Sequence, residues 1–335
     1  MEQKSVKKAD AVFEGGGVKG IGLVGALSVA EERGYRWENV AGTSAGAIVA
    51  ALVAAGYTAP ELKSIMQELD YNLFKDAGGV DKIPVAGPAA SLVFEKGIYE
   101  GKFLESWLGK LLRKKNIETF GQLVVREYEK EERYRFRLRV IASDISRGKM
   151  IVLPQDIALY GMRPEDLGVV RAVRMSMSFP FFYEPVKLRN RKTKEASYVI
   201  DGGLLSNFPV WLFDSETDPA WPTFGFKLVP PEAEQALQSQ ISSILGFTGA
   251  IVKTLINSEE ARFIADEHFV RTIAISTLDV STLDFDLSRD KSDALFESGR
   301  RAAEKFFKTW NWDTYKAKFR SGRPRVSRGD RLRSP

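Results

Sequence analysis

The chain has 335 residues, 44% hydrophobic and 28% charged, a composition typical of a folded protein with one or two domains. It has no cysteine and one histidine, His268, which excludes disulfides, thiolate zinc sites, a cysteine nucleophile and sites with several histidine ligands. The net charge of +5 comes from residues 316–335, which carry eight basic side chains and one acidic; the first 315 residues are slightly acidic, which disfavours a nucleic-acid-binding domain.

Strand-like and helix-like segments alternate along the chain, which is typical of a mostly parallel sheet covered by helices. The predicted elements are, in chain order, strand 10–14, helix 18–33, strand 39–42, helix 47–55, a helix that begins after Thr58, helix 100–115, strands 134–143 and 149–153, helix 165–176, strands 197–200 and 223–229, helix 238–256, strand 269–275 and helix 288–309. In the strand at 134–143, apolar side chains alternate with arginines, Arg139 among them. We expect one α/β domain over residues 8–315 and a basic, flexible tail over 316–335.

Two stretches need separate interpretation. Residues 39–60 carry no charged side chain and are long enough to span a bilayer, but their glycines and polar residues favour a strand, a tight turn and a buried helix. Residues 71–98 combine glycines, prolines and apolar side chains, which predicts a surface loop or, alternatively, a functional lid. The N-terminus has no signal-peptide pattern, so we expect a cytoplasmic protein, with peripheral membrane contact and signal-less export as an effector as alternatives.

A glycine-rich loop follows the first predicted strand. Gly15-Gly16-Gly17-Val18-Lys19-Gly20 matches G-x-G-x-x-G, which by itself indicates dinucleotide binding because amides at a helix N-terminus attract phosphate. A nucleotide site also needs an acidic residue at the end of the second strand, to hold the ribose. That strand ends instead in Gly42-Thr43-Ser44-Ala45-Gly46.

Gly42–Gly46 has the G-x-S-x-G pattern of a nucleophile elbow at a strand-to-helix junction. Gly42 and Gly46 leave room for the sharp turn, and the helix that follows directs its N-terminal amides toward Ser44. The Gly15–Gly17 loop leaves the neighbouring strand, so its amides can complete an oxyanion hole. Together the two loops predict one acyl-transfer site with Ser44 as nucleophile; turns that serve packing alone are the alternative.

A nucleophilic serine needs a base. His268 stands in no recognisable motif and is interpreted as a structural or surface histidine. Asp201 follows a predicted strand, and Gly202 and Gly203 after it allow close backbone approach, so we expect Asp201 to be the base. An ordinary aspartate pKa of about 3.9 makes a weak base, so geometry must supply much of the activation.

The three motifs, in this order, resemble those of the patatin-like phospholipase family. Arg174–Phe182 is similar to the family's Ser-x-Ser-x-Pro segment, Asn207-Phe208-Pro209 also fits, and Leu283-Asp284-Phe285 is weakly consistent with the C-terminal half of family members. The resemblance implies a three-layer α/β/α fold with a mostly parallel central sheet. It also implies a Ser44–Asp201 dyad that hydrolyses acyl esters of lipids.

Carried over, the resemblance makes Gly15, Gly16 and Gly17 the oxyanion hole and puts Lys19 at the family's basic position, where its charge aids the oxyanion region or a lipid phosphate, or is simply solvated. It implies no cofactor and no metal, a phospholipid or other acyl-ester lipid as substrate, and for some members an activating partner. The alternatives are a patatin-fold effector or binding protein that needs a partner, and a nucleotide-binding module that uses Gly15–Gly20. The basic tail would attract anionic lipid surfaces or be solvated without a role.

Overall fold

A computed structural model describes residues 6–76, 99–215, 218–231, 254 and 266–320. The strands are β1 Lys7–Phe13, β2 Tyr35–Thr43, β3 Leu138–Asp144, β4 Lys149–Leu153, β5 Val186–Arg189, β6 Ala196–Asp201, β7 Thr223–Val229 and β8 Thr272–Ser276. The α-helices are α1 Gly20–Glu32, α2 Ala45–Ala54, α3 Ala59–Gln67, α4 Lys102–Lys114, α5 Val169–Ser176, α6 Gly203–Ser206, α7 Asp266–Val270, α8 Arg289–Thr309 and α9 Trp312–Phe319.

The strands form one mixed sheet in the order β5–β6–β3–β2–β1–β7–β8, with β4 paired to β3. Strands β3, β2, β1, β7 and β8 run parallel. Strands β4 and β6 run antiparallel to β3, and β5 runs antiparallel to β6. The predicted three-layer α/β fold with a mostly parallel sheet is confirmed.

Strands β2 and β6 lie end to end along one edge of β3. Strand β4 pairs with residues 140–144 of β3. Because β2 and β6 also pair with residues in this stretch, β4 occupies the opposite edge of β3. Thr43 at the end of β2 lies opposite Ile141, and Asp201 at the end of β6 lies opposite Ala142. Since β2 and β6 run in opposite directions, their carboxyl ends meet there. The residue after β2, Ser44, is thereby brought to the last residue of β6.

Apolar side chains on the two faces of the sheet form two clusters, because neighbouring residues of a strand point to opposite faces. Val40 and Val140 belong to the larger cluster, which includes side chains from α1, α2, α3, α4, α5 and α8. Ala41 and Ile141, one position along, belong to a second cluster with Trp211, Leu212 and Phe213 among its members. Strand β3 is therefore covered on both faces.

The structure departs from the predicted strand 134–143 in where the strand begins and in the burial of Arg139. Strand β3 begins only at Leu138, and every residue in it is buried. Arg139 is buried too; its guanidinium donates to the carbonyls of Glu132 and Arg133 and lies over the Phe213 ring. At Arg139, therefore, the alternation does not mark a solvent-exposed face, because the charged guanidinium is hydrogen-bonded within the protein.

Three further elements differ from the predictions. Strand β5 was not predicted, and the predicted strand 269–275 divides into the end of α7 and most of β8. Helix α9 was not predicted either, and the expected domain boundary at residue 315 lies inside it. Its Tyr315 is buried, and Arg320 beyond it donates to Asp214 Oδ1 at 2.8 Å. These contacts attach residues 316–320 to the domain; residues 321–335 lie outside the described residues.

The remaining predictions concern segments that the structure describes only in part. Of the predicted helix 238–256, residue 254 alone is described, and residues 77–98 of the candidate lid lie outside the described residues. The uncharged stretch 39–60 forms the end of β2, helix α2 and the start of α3, as predicted. None of the helices within the described ranges is both long and apolar enough to cross a bilayer.

Candidate active site

Ser44 occupies the sharp turn between β2 and α2. Its backbone has φ 52° and ψ −129°, in the positive-φ region that costs a side-chain-bearing residue about 1–3 kcal/mol. The turn closes because its flanking residues have no side chains. A Cβ on Gly42 would overlap the backbone of Gly46, and a Cβ on Gly46 would overlap the carbonyl oxygen of Phe13. The turn leaves the Ser44 side chain partly exposed, directly after the carboxyl end of β2.

Asp201 reaches the same point from β6. It is buried, and its Oδ1 accepts a hydrogen bond from the Gly203 amide at 2.7 Å. Burial raises its pKa to about 6, although the Ser44 hydroxyl and the Gly203 amide both act to lower it. A Cβ on Gly202 would overlap the Ile141 carbonyl oxygen, so this position needs glycine to bring the carboxylate close to β3. The structure thus brings Ser44 and Asp201 together.

The segment Ser176–Met177–Ser178, at and just after the end of α5, contacts Ser44 and the backbone of Asp201. Ser176 Oγ accepts a hydrogen bond from the Ser44 amide at 2.8 Å, and the Ser44 hydroxyl contacts Met177 Sδ at 3.7 Å. The Ser178 carbonyl accepts from the Asp201 amide at 2.9 Å. In the sequence this segment stood out only by resemblance to a family motif, and nothing local indicated which groups it would bind.

The glycine loop lies directly against the serine. A Cβ on Gly15 would lie 3.0 Å from Ser44 Cβ. The loop is anchored by buried Glu14, whose carboxylate accepts from Lys227 Nζ at 2.8 Å and from the Leu228 amide at 2.5 Å. These bonds tie the end of β1 to β7. The sequence offered no signal for Glu14, because its partners are far along the chain.

The loop amides differ in what they bind. Those of Gly15 and Val18 donate to backbone carbonyls at 3.3 Å each. The amides of Gly16 and Gly17 have no hydrogen-bond acceptor within the described part of the chain. Gly17 has φ +59°, which favours glycine. Both glycines therefore present backbone N–H groups in the loop that lies against Ser44.

The last two residues of the glycine motif lie beside the loop. Lys19 is partly exposed, and its side-chain Cε lies 3.6 Å from where a Gly16 Cβ would be. Gly20 begins α1, and a Cβ there would lie 3.2 Å from Met66 Cε. Lys19 therefore adds a positive charge next to the glycines, while Gly20 allows the helix to pack.

An apolar cleft, open at its mouth, lies over Ser44. Its lining residues are Gly17, Val18, Ser44, Ala45, Ile48, Met66, Leu69, Tyr71, Phe74, Trp107, Met177, Phe179, Phe182, Tyr183, Thr282, Leu283 and Phe285. The Tyr71 hydroxyl is buried and has no hydrogen-bond partner among the described residues. A cleft with such walls favours a hydrocarbon chain over a charged ligand.

His268 lies elsewhere. It precedes β8 and so stands at the amino ends of the parallel strands, whereas Ser44 follows a carboxyl end. Its Nδ1 accepts a hydrogen bond from Arg271 at 2.7 Å. Asp214, Glu267 and His268 have potential ligand atoms within 4.8 Å of one another. However, Arg271 and Arg320 donate to Asp214 at 2.6 and 2.8 Å, and two guanidinium groups make the cluster unsuitable for a metal cation.

Comparisons with known proteins bear on the family and the fold of the chain. The family described as Patatin-like phospholipase matches residues 11–214. The chain is 42% identical to YqhO of Bacillus subtilis (strain 168) over 304 residues, 90% of this chain and 99% of that protein. It is 27% identical over 202 residues to the Probable lipid hydrolase 463L of Invertebrate iridescent virus 6, 59% of this chain and 61% of that protein. Among solved structures, VipD from Legionella pneumophila matches with a TM-score of 0.53 and 18% identity, covering 91% of this chain and 67% of that one, and supports the fold.

Proposed function

Because the chain belongs to the patatin-like phospholipase family, we propose that it is a lipid acyl hydrolase of the phospholipase A or lysophospholipase type with a Ser44–Asp201 catalytic dyad. One observation carries the proposal: a strained serine that lines an apolar cleft lies next to a buried carboxylate of raised pKa. The similarity to a viral protein named as a lipid hydrolase supports acyl lipids as the substrate class.

In the first half-reaction, Ser44 Oγ forms a bond to the ester carbonyl carbon while Asp201 accepts the hydroxyl proton. The carbonyl oxygen becomes an anion, which the amides of Gly16 and Gly17 stabilise. The carbon–oxygen bond to the leaving alcohol then breaks, and Asp201 gives its proton to that alcohol. In the second half-reaction, water attacks the acyl-serine with Asp201 again as base, and the fatty acid leaves as Ser44 regains its proton.

Burial of Asp201 helps this chemistry. A carboxylate with a pKa of about 6 accepts a proton more readily than one near 4, and remains ionised at neutral pH. We therefore expect kcat/KM to rise with pH, to reach half its maximum near pH 6 and to level off above it. The profile should be measured with a soluble ester at constant ionic strength. An acid limb centred near pH 4 would contradict the assignment of Asp201 in this environment.

Gly17 provides a test of the oxyanion amides. An alanine there would have an unfavourable positive φ, and its Cβ would overlap the Thr282 carbonyl oxygen, so the loop must move. We expect Gly17→Ala to lower kcat by about 10²–10³-fold with a smaller change in KM, the usual cost of losing an oxyanion donor. Gly148→Ala is the matched control, because Gly148 has φ +62° and a Cβ there would have no atom within 4 Å. An equal loss of kcat in both variants would contradict the oxyanion role.

The substrate class is tested directly with the purified chain. Vesicles of phosphatidylethanolamine and phosphatidylglycerol, lysophospholipid micelles and triacylglycerol emulsions are incubated with the protein, and products are identified by mass spectrometry. A fluorophosphonate probe is mapped to its modified residue in parallel. Fatty-acid release together with labelling at Ser44 is expected. Labelling without hydrolysis of any lipid, with or without added cell lysate, would exclude the proposed activity and favour a binding protein.

A further inference from the structure

The ladder between β2 and β3 is interrupted at the nucleophile. In a parallel pair, alternate residues of one strand donate to the other at even spacing. The Val40 amide donates to the Arg137 carbonyl at 2.7 Å, and the register of β2 on β3 continues through Thr43 and Ile141. Two steps further along, this spacing assigns the Ser44 amide to the Ile141 carbonyl.

A hydroxyl stands in that place. The Ser44 amide donates to Ser176 Oγ at 2.8 Å, and Ser176 Oγ donates to the Ile141 carbonyl at 2.6 Å. One oxygen atom of α5 is thus inserted between the donor and the acceptor of a ladder bond. Because this hydroxyl both accepts and donates a hydrogen bond, neither the Ser44 amide nor the Ile141 carbonyl is left unpaired.

The insertion occurs where the backbone departs from the sheet. With φ 52°, the backbone turns at Ser44 out of the extended path of β2. A direct bond to Ile141 would draw the Ser44 amide toward β3 and resist this turn. The Ser176 hydroxyl accepts the hydrogen bond from the Ser44 amide at a greater distance from β3 than a direct bond to Ile141 would allow. Ser176 is fully buried, which fixes the position of its oxygen.

The Ile141 carbonyl also faces the base. A Cβ on Gly202 would overlap this oxygen, so the chain just after Asp201 packs against the same atom that Ser176 binds. The Ser178 carbonyl, two residues from Ser176, accepts from the Asp201 amide. The end of α5 therefore holds the backbones on both sides of the junction between β2 and β6.

We propose that Ser176 is a positioning residue, whose hydroxyl acts as a spacer between β2 and β3 and holds the Ser44 backbone in its strained conformation. This inference rests on the proposed function, in which Ser44 is the nucleophile. Ser176 touches neither substrate nor reacting atoms; it acts through the Ser44 amide. Its removal should therefore impair reactions at Ser44 Oγ and leave lipid binding in the cleft largely unchanged.

The test is Ser176→Ala. We expect kcat to fall by about 10²-fold, as for a nucleophile misplaced by about 1 Å, with KM within about threefold of wild type. The rate of fluorophosphonate labelling at Ser44, per folded molecule, should fall in parallel. The acid limb of the pH profile should stay near pH 6, because Asp201 keeps its own contacts. A lower melting temperature with unchanged kcat and labelling rate would show a purely structural role and overturn the proposal.

Ser143→Ala is the matched control. Ser143 lies two residues after Ile141 on β3, is equally buried, and its hydroxyl has no hydrogen-bond partner among the described residues. Its loss should leave kcat and labelling unchanged. If the wild-type chain neither hydrolyses esters nor is labelled at Ser44, the proposed function fails and the inference with it. If the wild type does both and Ser176→Ala equals Ser143→Ala, only the inference fails.

A second variant covers the case in which Ser176→Ala does not fold. Ser176→Cys keeps a group of similar size that is a weak donor and a weak acceptor. The chain has no other cysteine, so the new thiol is unique. We expect kcat to fall at least tenfold with KM little changed. A kcat within twofold of wild type, in folded protein, would overturn the proposal.

Discussion

Ser44→Ala is expected to abolish ester hydrolysis, with kcat lower by 10⁴-fold or more, on the order of the loss seen when the nucleophile of a serine hydrolase is removed. The oxyanion amides and the cleft remain, but no group is left to form the acyl intermediate. The fold should be kept, because serine already bears a Cβ at this positive-φ position and alanine adds no new atom. The variant should also lose fluorophosphonate labelling.

The comparison for Ser44→Ala is Ser28→Ala. Ser28 lies on α1 and is buried; its hydroxyl donates to the Gly25 carbonyl at 2.7 Å and accepts from Arg300 at 2.9 Å, so its loss should cost about 1–3 kcal/mol of stability without reducing kcat. Release of fatty acid from phospholipid vesicles and the melting temperature are measured for both variants. Hydrolysis by Ser44→Ala at a rate near that of Ser28→Ala would rule out Ser44 as the nucleophile.

Asp201→Asn is expected to lower kcat by about 10³-fold, since a positioned general base contributes about 10²–10⁴-fold. The amide keeps the size of the carboxylate but cannot take the Ser44 proton. Labelling of Ser44 by the fluorophosphonate should slow markedly rather than disappear, because the serine itself remains. This difference between the two variants separates the roles of nucleophile and base.

Asp10→Asn is the matched control for Asp201→Asn. Asp10 is also buried in a strand of the sheet, but burial raises its pKa to about 8. At pH 7 its carboxyl group is therefore mostly protonated and neutral, and asparagine is a neutral side chain of similar size. We expect this variant to keep kcat within a few-fold of wild type. Equal losses in Asp10→Asn and Asp201→Asn would indicate a general effect of altering buried carboxyls, and would exclude Asp201 as a specific base.

The stability of Asp201→Asn carries a second expectation. The folded pKa of Asp201, about 6, lies above its unfolded value, so the folded state holds the proton more tightly. The stability that this proton contributes is therefore present at acid pH and is lost as the pH rises through 6. At pH 7 asparagine removes the cost of a buried charge. The variant should melt at or above the wild-type temperature while it is inactive.

Local patterns predicted the surroundings of Ser44 well. The strand, the turn and the helix at 39–55 agree with β2, Ser44 and α2, because a buried strand, two glycines and an alanine-rich helix each leave a local signature. The helix expected after Thr58 is present as α3, with Thr58 as its N-cap. The catalytic roles of Ser44 and Asp201 stay predictions that the variants above test.

Other features depended on partners distant in the chain. Arg139 stands in the predicted strand at 134–143 with no indication of its partners, and in the structure its buried guanidinium donates to carbonyls in the turn before β3. Helix α9 was not predicted from the sequence. Aromatic contacts and the hydrogen bond from Arg320 to Asp214 stabilise its position. Neither partner can be read from a local window.

By itself the sequence determined the class of fold, the two glycine turns, and the candidate pair of a serine and an aspartate, because each of these rests on short-range backbone sterics or on the inventory of residue types. The tertiary structure decided that β2 and β6 meet end to end on β3. It also decided that the Ser176 hydroxyl, 132 residues from Ser44, lies between the Ser44 amide and the Ile141 carbonyl of β3. Strand direction, register and the pairing of buried polar groups are properties of the assembled sheet. These properties bring Ser44 and Asp201 together, and no local pattern contains them.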